Sequence, residues 1–149
     1  MFEIRDMKPE DHDRVLPMVT EFYHSSAVDH DVDSEILERT FRDAVDENDP
    51  ILRGVVLWED DRAVGYGYVT TYYAAEVGGR CLMMEELYFT PECRGKGYGT
   101  QFFRFMMDQY PEHKRFRLEV TEANRNATRL YERWGFQMIG YNQMILDRE

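Results

Sequence analysis

The chain is most tightly constrained by the stretch Glu92-Cys93-Arg94-Gly95-Lys96-Gly97-Tyr98-Gly99-Thr100, which separates a strand-like segment from an apolar-faced helical one. Backbone N–H groups at a helix start lack intrahelical acceptors, and the helix dipole makes that end favourable for an anion. Glycines allow the main chain to approach a ligand closely, and Arg94 and Lys96 add charge-assisted contacts. The composition predicts a loop that grips phosphate. A Walker loop needs Ser or Thr after Gly-Lys, whereas Lys96 is followed by Gly97, and the dinucleotide fingerprint needs glycine where Thr100 stands. An ordinary turn with capping glycines is the plainer alternative, and the two adjacent cations argue against it.

Periodicity organises the rest. Residues 2 to 6 read as a strand. After Pro9, Asp11 is placed to cap a helix with apolar positions Val15, Val19, Phe22 and Tyr23, and Pro17 predicts a kink in it. A second helix begins near Asp33 or Ser34, carries Leu37, Phe41, Ala44 and Val45 on one stripe, and ends before Asn48-Asp49-Pro50. The period then shortens to that of strands. Residues 52 to 58 and 63 to 73 form a hairpin around residues 59 to 62, Gly78-Gly79 marks a reversal, and residues 81 to 90 make the next strand. A helix over 98 to 110 stops at Pro111, and Phe116, Leu118 and Val120 alternate as a strand. The stripe Ala127, Leu130, Tyr131 and Trp134 predicts a helix from Asn124, closed by Gly135 and Phe136, before a final strand over Met138 to Leu146. The expected class is α+β, as one domain over residues 1 to 149.

Charge and composition exclude several roles. A net charge of −11 argues against general nucleic-acid binding, which needs a basic face. The first 61 residues hold 18 acidic and 6 basic side chains, net −12, and the remainder are close to neutral at +1. Such a split suits an anionic cofactor in the second half and a cationic co-substrate entering past the first, although an acidic surface also serves solubility alone. The N-terminus is charged where a secretory signal is apolar, and no run approaches the roughly 20 apolar residues of a membrane span, so a cytoplasmic protein is expected. Cys81 and Cys93 are too few for a disulfide framework or a structural zinc site. His24 and His30 with Asp29, Asp31 and Asp33 are spaced too loosely for a metal site and read as a solvated loop over the substrate entrance.

Two blocks carry a family resemblance. Arg94-Gly95-Lys96-Gly97-Tyr98-Gly99 resembles the Arg/Gln-x-x-Gly-x-Gly/Ala loop of the GNAT N-acetyltransferase superfamily, and Glu86 to Glu92 resembles the strand before it. Asn124, Ala127 and Leu130-Tyr131-Glu132-Arg133-Trp134-Gly135-Phe136 are similar to its Asn-x-x-Ala and Leu-Tyr-x-x-x-Gly-Phe elements. The resemblance implies a mixed central β-sheet with splayed middle strands, flanked by about four helices. It implies acetyl-CoA as co-substrate with no metal, held by Leu87, Tyr88, Phe89, Arg94, Gly95, Lys96, Gly97, Tyr98, Gly99, Thr100 and Asn124. Asn124 also reads as a plain helix cap. Dimerisation is a further expectation by resemblance.

Acetyl transfer to an amine needs a neutral nucleophile, a positioned thioester, a stabilised oxyanion and a proton for the leaving thiolate. Glu85 and Glu86 are candidates for removing the amine proton and for pairing with a cationic substrate, with the two roles exchangeable. Consecutive strand residues face opposite sides, so both reach one cleft only across a bulge, which the resemblance implies. A solvated strand face is the alternative. Tyr131 matches the tyrosine that acts as general acid toward the coenzyme A thiolate, while its place on an apolar stripe also suits core packing. Cys93 has no nearby His to serve a covalent mechanism. Tyr66, Tyr68, Tyr72 and Tyr73 divide between core and cleft, and Met83, Met84, Met106 and Met107 read as packing. Within the superfamily, residues 72 to 98 are similar to spermidine/spermine acetyltransferases, which implies a small polyamine-like acceptor. A protein lysine or N-terminus as acceptor, and a non-catalytic acyl-CoA-binding regulator, are the competing readings.

Overall fold

The computed structural model describes residues 1–28 and 30–148, leaving Asp29 of the loop considered above outside the described residues, together with Glu149. Five strands, β1 (Phe2–Asp6), β2 (Leu52–Glu59), β3 (Arg62–Ala74), β4 (Gly79–Phe89) and β5 (Arg115–Leu118), form one sheet in chain order. The first four are antiparallel neighbours and β5 lies parallel to β4, so the sheet is mixed. Four helices accompany it: α1 (His12–Tyr23), α2 (Ser34–Ala44), α3 (Tyr98–Gln109) and α4 (Arg125–Arg133).

Strand alternation sends side chains to two cores. On one face Val56, Tyr66, Tyr68 and Tyr88 pack against Val15 and Val19 of α1 and Leu37 and Phe41 of α2. On the other, Val55, Leu57, Val69, Leu82 and Met84 pack against Phe102, Phe103 and Met106 of α3, with Trp134 beside them. Of the apolar stripes read from the sequence, Val15 and Val19 of α1 and Leu37, Phe41 and Ala44 of α2 are buried, whereas Ala127, Leu130, Tyr131 and Trp134 are only partly so. At the end of α4, Phe136 N–H donates to Tyr131 C=O at 3.0 Å and Gly135 N–H to Glu132 C=O at 3.0 Å, the paired closure expected of a glycine cap.

Two features of the sheet position the site. Tyr68 pairs with Glu86 but Val69 pairs with Met84, so Glu85 is an extra residue bulged out of the β3–β4 ladder. Pairing between β4 and β5 runs only from Cys81 with Arg115 to Met84 with Leu118. Beyond the bulge β4 continues to Phe89 against β3 alone, and the two middle strands part.

Several local expectations are corrected. Residues 138 to 146 form no strand: they make no ladder, and Met144, Ile145 and Leu146 are 96%, 83% and 90% exposed. Alternation and β-propensity cannot create a strand without a neighbour to accept its backbone bonds. For the same reason β5 ends at Leu118, short of Val120. Asp11 makes no side-chain cap of α1; its carboxylate accepts from Lys8 N–H at 2.8 Å and from Arg14 at 2.5 Å, closing the preceding turn. Helix α1 continues through Pro17.

Gly65 lies where β3 passes closest to β4: a Cβ there would stand 2.2 Å from the backbone oxygen of Tyr88. Gly65→Ala is expected to destabilise the fold by about 1–3 kcal/mol, the usual range for overpacking, or to prevent folding. The midpoint of urea unfolding checks this, and an unchanged midpoint would show that the sheet accommodates the methyl group.

Candidate active site

The glycine-rich loop lies between β4 and α3, as its composition requires. Gly95 and Gly97 take φ of +79° and +82°, a left-handed region that side chains with a Cβ rarely adopt. Gly97 is the N-cap of α3, and no side chain caps that end. The first-turn N–H groups of Tyr98, Gly99 and Thr100 are among those a helix start leaves without intrahelical acceptors, and they sit at its positive end. A Cβ on Gly99 would make only ordinary contact with Trp134, at 3.7 Å.

The side chains of this loop are engaged within the protein. Lys96 Nζ lies 3.0 Å from Glu59 Oε2, and Tyr98 Oη donates to the same oxygen at 2.5 Å while its ring stacks on Phe2. Arg62 adds a bond to Glu59 at 3.2 Å. Donation by Tyr98, then by Lys96, holds the Glu59 carboxyl down to about 2, so the tie stands above ordinary carboxylate titration and weakens only as pH falls toward that value. Arg94 Nε donates to Phe89 C=O at 3.0 Å, its guanidinium over the Tyr88 ring. Thr100 Oγ1 accepts from the Trp134 indole at 2.9 Å. The phosphate-gripping capacity of this loop therefore lies in its main chain. Sequence reasoning missed Glu59, because the end of a hairpin strand gives no signal that tertiary packing sets it beside Lys96.

The bulge determines where the two carboxylates sit. Glu86 shares the face of Tyr66, Tyr68 and Tyr88, and accepts hydrogen bonds from Tyr66 Oη at 2.7 Å and from Tyr23 Oη of α1. Glu85 accepts from Thr70 Oγ1 at 3.0 Å and is the more exposed of the two. Burial raises the pKa of Glu86 in spite of both tyrosine donors, and the Glu85 charge raises it further. Glu85 is also raised, by desolvation, against the opposing bond from Thr70. Burial and the Glu86 charge push the Tyr23 and Tyr66 hydroxyls far up, so they remain donors at any physiological pH. The Tyr68 hydroxyl is buried without a hydrogen-bond partner. Among the described residues, no Lys or Arg forms an ion pair with Glu85 or Glu86. Sequence reasoning assigned Tyr23 only to a helical stripe, since its role depends on α1 crossing the bulge. Beside Tyr23, a cavity of about 260 Å³ opens between α1 and α2, lined by Thr20, His24, Asp31, Val32, Ser34 and Leu37.

The remaining candidates are dispersed around the parting strands. Leu87 pairs with Gly67 and packs toward α3, whereas Tyr88 is buried toward α1 with its hydroxyl unpartnered and its pKa pushed up to about 12 by burial. Asn124 caps α4, its side-chain oxygen accepting from Ala127 N–H at 3.4 Å. Tyr131 lies on α4 near Trp134 and Phe136, with its hydroxyl pKa raised by burial. Cys93 is buried. Among the described residues no group of three or more His, Cys, Asp or Glu is arranged to hold a metal ion, and no helix is long and apolar enough to cross a membrane.

These features suit a thioester of coenzyme A. Alternate backbone groups of β4 beyond Met84 point away from β3 toward the place β5 has left, where an amide-bearing arm can take up their bonds. The open start of α3 suits a pyrophosphate at the end of such an arm. Together, a mixed sheet whose middle strands part beside a glycine-lined helix start defines an acyl-CoA-dependent N-acetyltransferase. The sequence profile of the Acetyltransferase (GNAT) family matches residues 15–136, and the chain belongs to that family. Among curated proteins it is similar to mouse thialysine N-epsilon-acetyltransferase, with 28% identity over 145 residues, spanning 90% of this chain and 83% of the relative. The fold matches a possible acetyltransferase from Clostridium difficile 630 with a TM-score of 0.82 at 19% identity, covering 100% of this chain and 99% of the other. A protein from Clostridium acetobutylicum described as a predicted acetyltransferase and solved with acetyl-CoA gives 0.77 at 16% identity, covering 98% and 96%.

Gly97→Val should force a β-branched residue to a φ near +82° at the cap of α3 and reorient the first-turn amides. Calorimetric titration with coenzyme A is expected to show at least a tenfold loss of affinity in a protein whose circular dichroism is unchanged. Wild-type affinity would separate phosphate binding from this loop.

Proposed function

We propose that the chain transfers the acetyl group of acetyl-CoA to a primary amine of a small, polyamine-like cation, by direct attack within a ternary complex. One observation carries the reading: Glu86 is a partly buried, desolvated carboxylate that takes hydrogen bonds from two tyrosines, and among the described residues no cationic side chain pairs with it. A buried charge is costly unless paired, and an ammonium group on the substrate is the partner such a site lacks. The relative named for an N-ε-acetyltransferase supports an alkylamine acceptor. Buried, free Cys81 and Cys93 are in keeping with a reducing cytoplasm.

Within this reading the main chain of residues 95 to 100 holds the pyrophosphate, and Leu87, Tyr88 and Phe89 supply backbone bonds to the pantetheine arm. Acetyl-CoA supplies an acyl group activated as a thioester. Glu86 anchors one ammonium group. Glu85, more exposed and raised in pKa, receives the proton of the attacking amine directly or through water. Tyr131, protonated at neutral pH, supplies a proton to the departing thiolate.

Release of free thiol from acetyl-CoA across polyamines, amino acids, aminoglycosides and peptides tests the reading. The fastest acceptors should be diamines or polyamines, and Glu86→Gln should raise their KM about tenfold or more while coenzyme A affinity stays within twofold. A preference for peptides that Glu86→Gln leaves unchanged would reject it. Tyr131→Phe should slow turnover by about 10²-fold, the lower range for a general acid, with acetyl-CoA affinity nearly intact. Normal turnover in that variant would remove Tyr131 from the mechanism.

A further inference from the structure

The two residues that flank Gly97 are tied to one atom outside their own loop. Lys96 Nζ lies 3.0 Å from Glu59 Oε2, and Tyr98 Oη donates to that same oxygen at 2.5 Å. Glu59 closes β2, and its backbone is held on both sides, with Phe2 of β1 and Arg62 of β3 as its ladder partners. Arg62 also occupies the other carboxylate oxygen, Oε1, at 3.2 Å. The carboxylate is thus a fixed point of the sheet, its side chain only 17% exposed. Phe2 completes the contact, its ring stacked on that of Tyr98 with centroids 4.3 Å apart and planes 9° from parallel.

The loop needs such a point. A Cβ on Gly95 or Gly97 would meet nothing within 4 Å, so packing at the glycines does not hold their backbone. A backbone with that freedom loses more entropy when a ligand orders it. Amides that are already aimed bind a phosphate more tightly, because the ordering is complete before the ligand arrives. Charge acts in the other direction. Glu59 takes up the charge of Lys96 and brings a negative charge to an anion loop, and both effects weaken its attraction for a phosphate. Order and charge therefore predict opposite outcomes when the carboxylate is removed.

We infer that Glu59 is a positioning residue for the cofactor: by holding Lys96 and Tyr98 it fixes the peptide groups on both sides of Gly97, and with them the first-turn amides of α3, in the orientation that bonds pyrophosphate. Glu59 acts through the loop and needs no contact with the ligand. The inference rests on placing the pyrophosphate at residues 95 to 100, and it is independent of the acceptor amine.

Calorimetric titration of coenzyme A into the full chain tests it. Glu59→Ala should weaken binding about tenfold, whereas Glu59→Gln, which keeps an oxygen for Tyr98 but loses the charge, should stay within about threefold of wild type. Tyr98→Phe, which retains the ring stack, should weaken binding by itself and add nothing to Glu59→Ala. Pantetheine, which lacks the pyrophosphate, should bind Glu59→Ala and wild type alike by ligand-observed NMR, since damage to the fold would weaken both ligands. Tighter coenzyme A binding in both Glu59 variants would show that the carboxylate acts by charge alone and overturn the inference. Wild-type affinity in Tyr98→Phe, or an equal loss for pantetheine, would overturn it as well. Gly97→Val separates the two readings. If it loses coenzyme A affinity while Glu59→Ala does not, the loop binds pyrophosphate without Glu59 and only this inference fails; if it keeps wild-type affinity, both fall together.

Discussion

A single inserted residue in β4 sets the geometry on which the rest depends. In an unbroken strand Glu85 and Glu86 would face opposite sides of the sheet. With Glu85 bulged out, Glu86 meets Tyr66 and Tyr23 while Glu85 still reaches Thr70 on the neighbouring strand, so two carboxylates of unlike exposure stand together. At the same point β5 ends its pairing, and the backbone beyond Met84 is left with polar groups that need partners. The placement of the two carboxylates and the parting of β4 from β5 thus meet at one irregularity.

Electrostatics then sorts the two substrates. The cations of the glycine-rich loop already have protein partners: Lys96 is tied to Glu59, and Arg94 to a carbonyl. What that loop leaves open is the set of fixed backbone dipoles at the start of α3, beside the left-handed glycines. At the other end the charge is unbalanced in the opposite sense. Glu86 is desolvated among neutral phenols, and burial raises its pKa in spite of the hydrogen bonds from Tyr23 and Tyr66. A ligand ammonium would relieve that strain, which is how a site can favour cations before any detailed shape is considered.

Much of this was legible in the residues themselves. The glycines around Arg94 and Lys96 before an apolar-faced segment marked the loop that opens α3, where Gly95 and Gly97 take left-handed angles that glycine tolerates. Helical stripes such as Leu37, Phe41 and Ala44 specified which faces are buried, and Gly135 with Phe136 specified how α4 ends. Asn124 was legible as a cap, and the structure uses it as one.

What the sequence left open are relations between distant segments. Glu59 beside Lys96 and Tyr23 beside Glu86 are separated by 37 and 63 residues, and local pattern carries no information about such meetings. Residues 138 to 146 show the limit most clearly: their composition suits a strand, but a strand exists only where a neighbouring backbone accepts its bonds. Side-chain chemistry and backbone freedom, being properties of single residues and short spacings, were determined by the sequence alone. Which polar groups face each other, which edges stay open and which charges remain unpaired were decided only when the chain folded, because burial and pairing are properties of the whole arrangement.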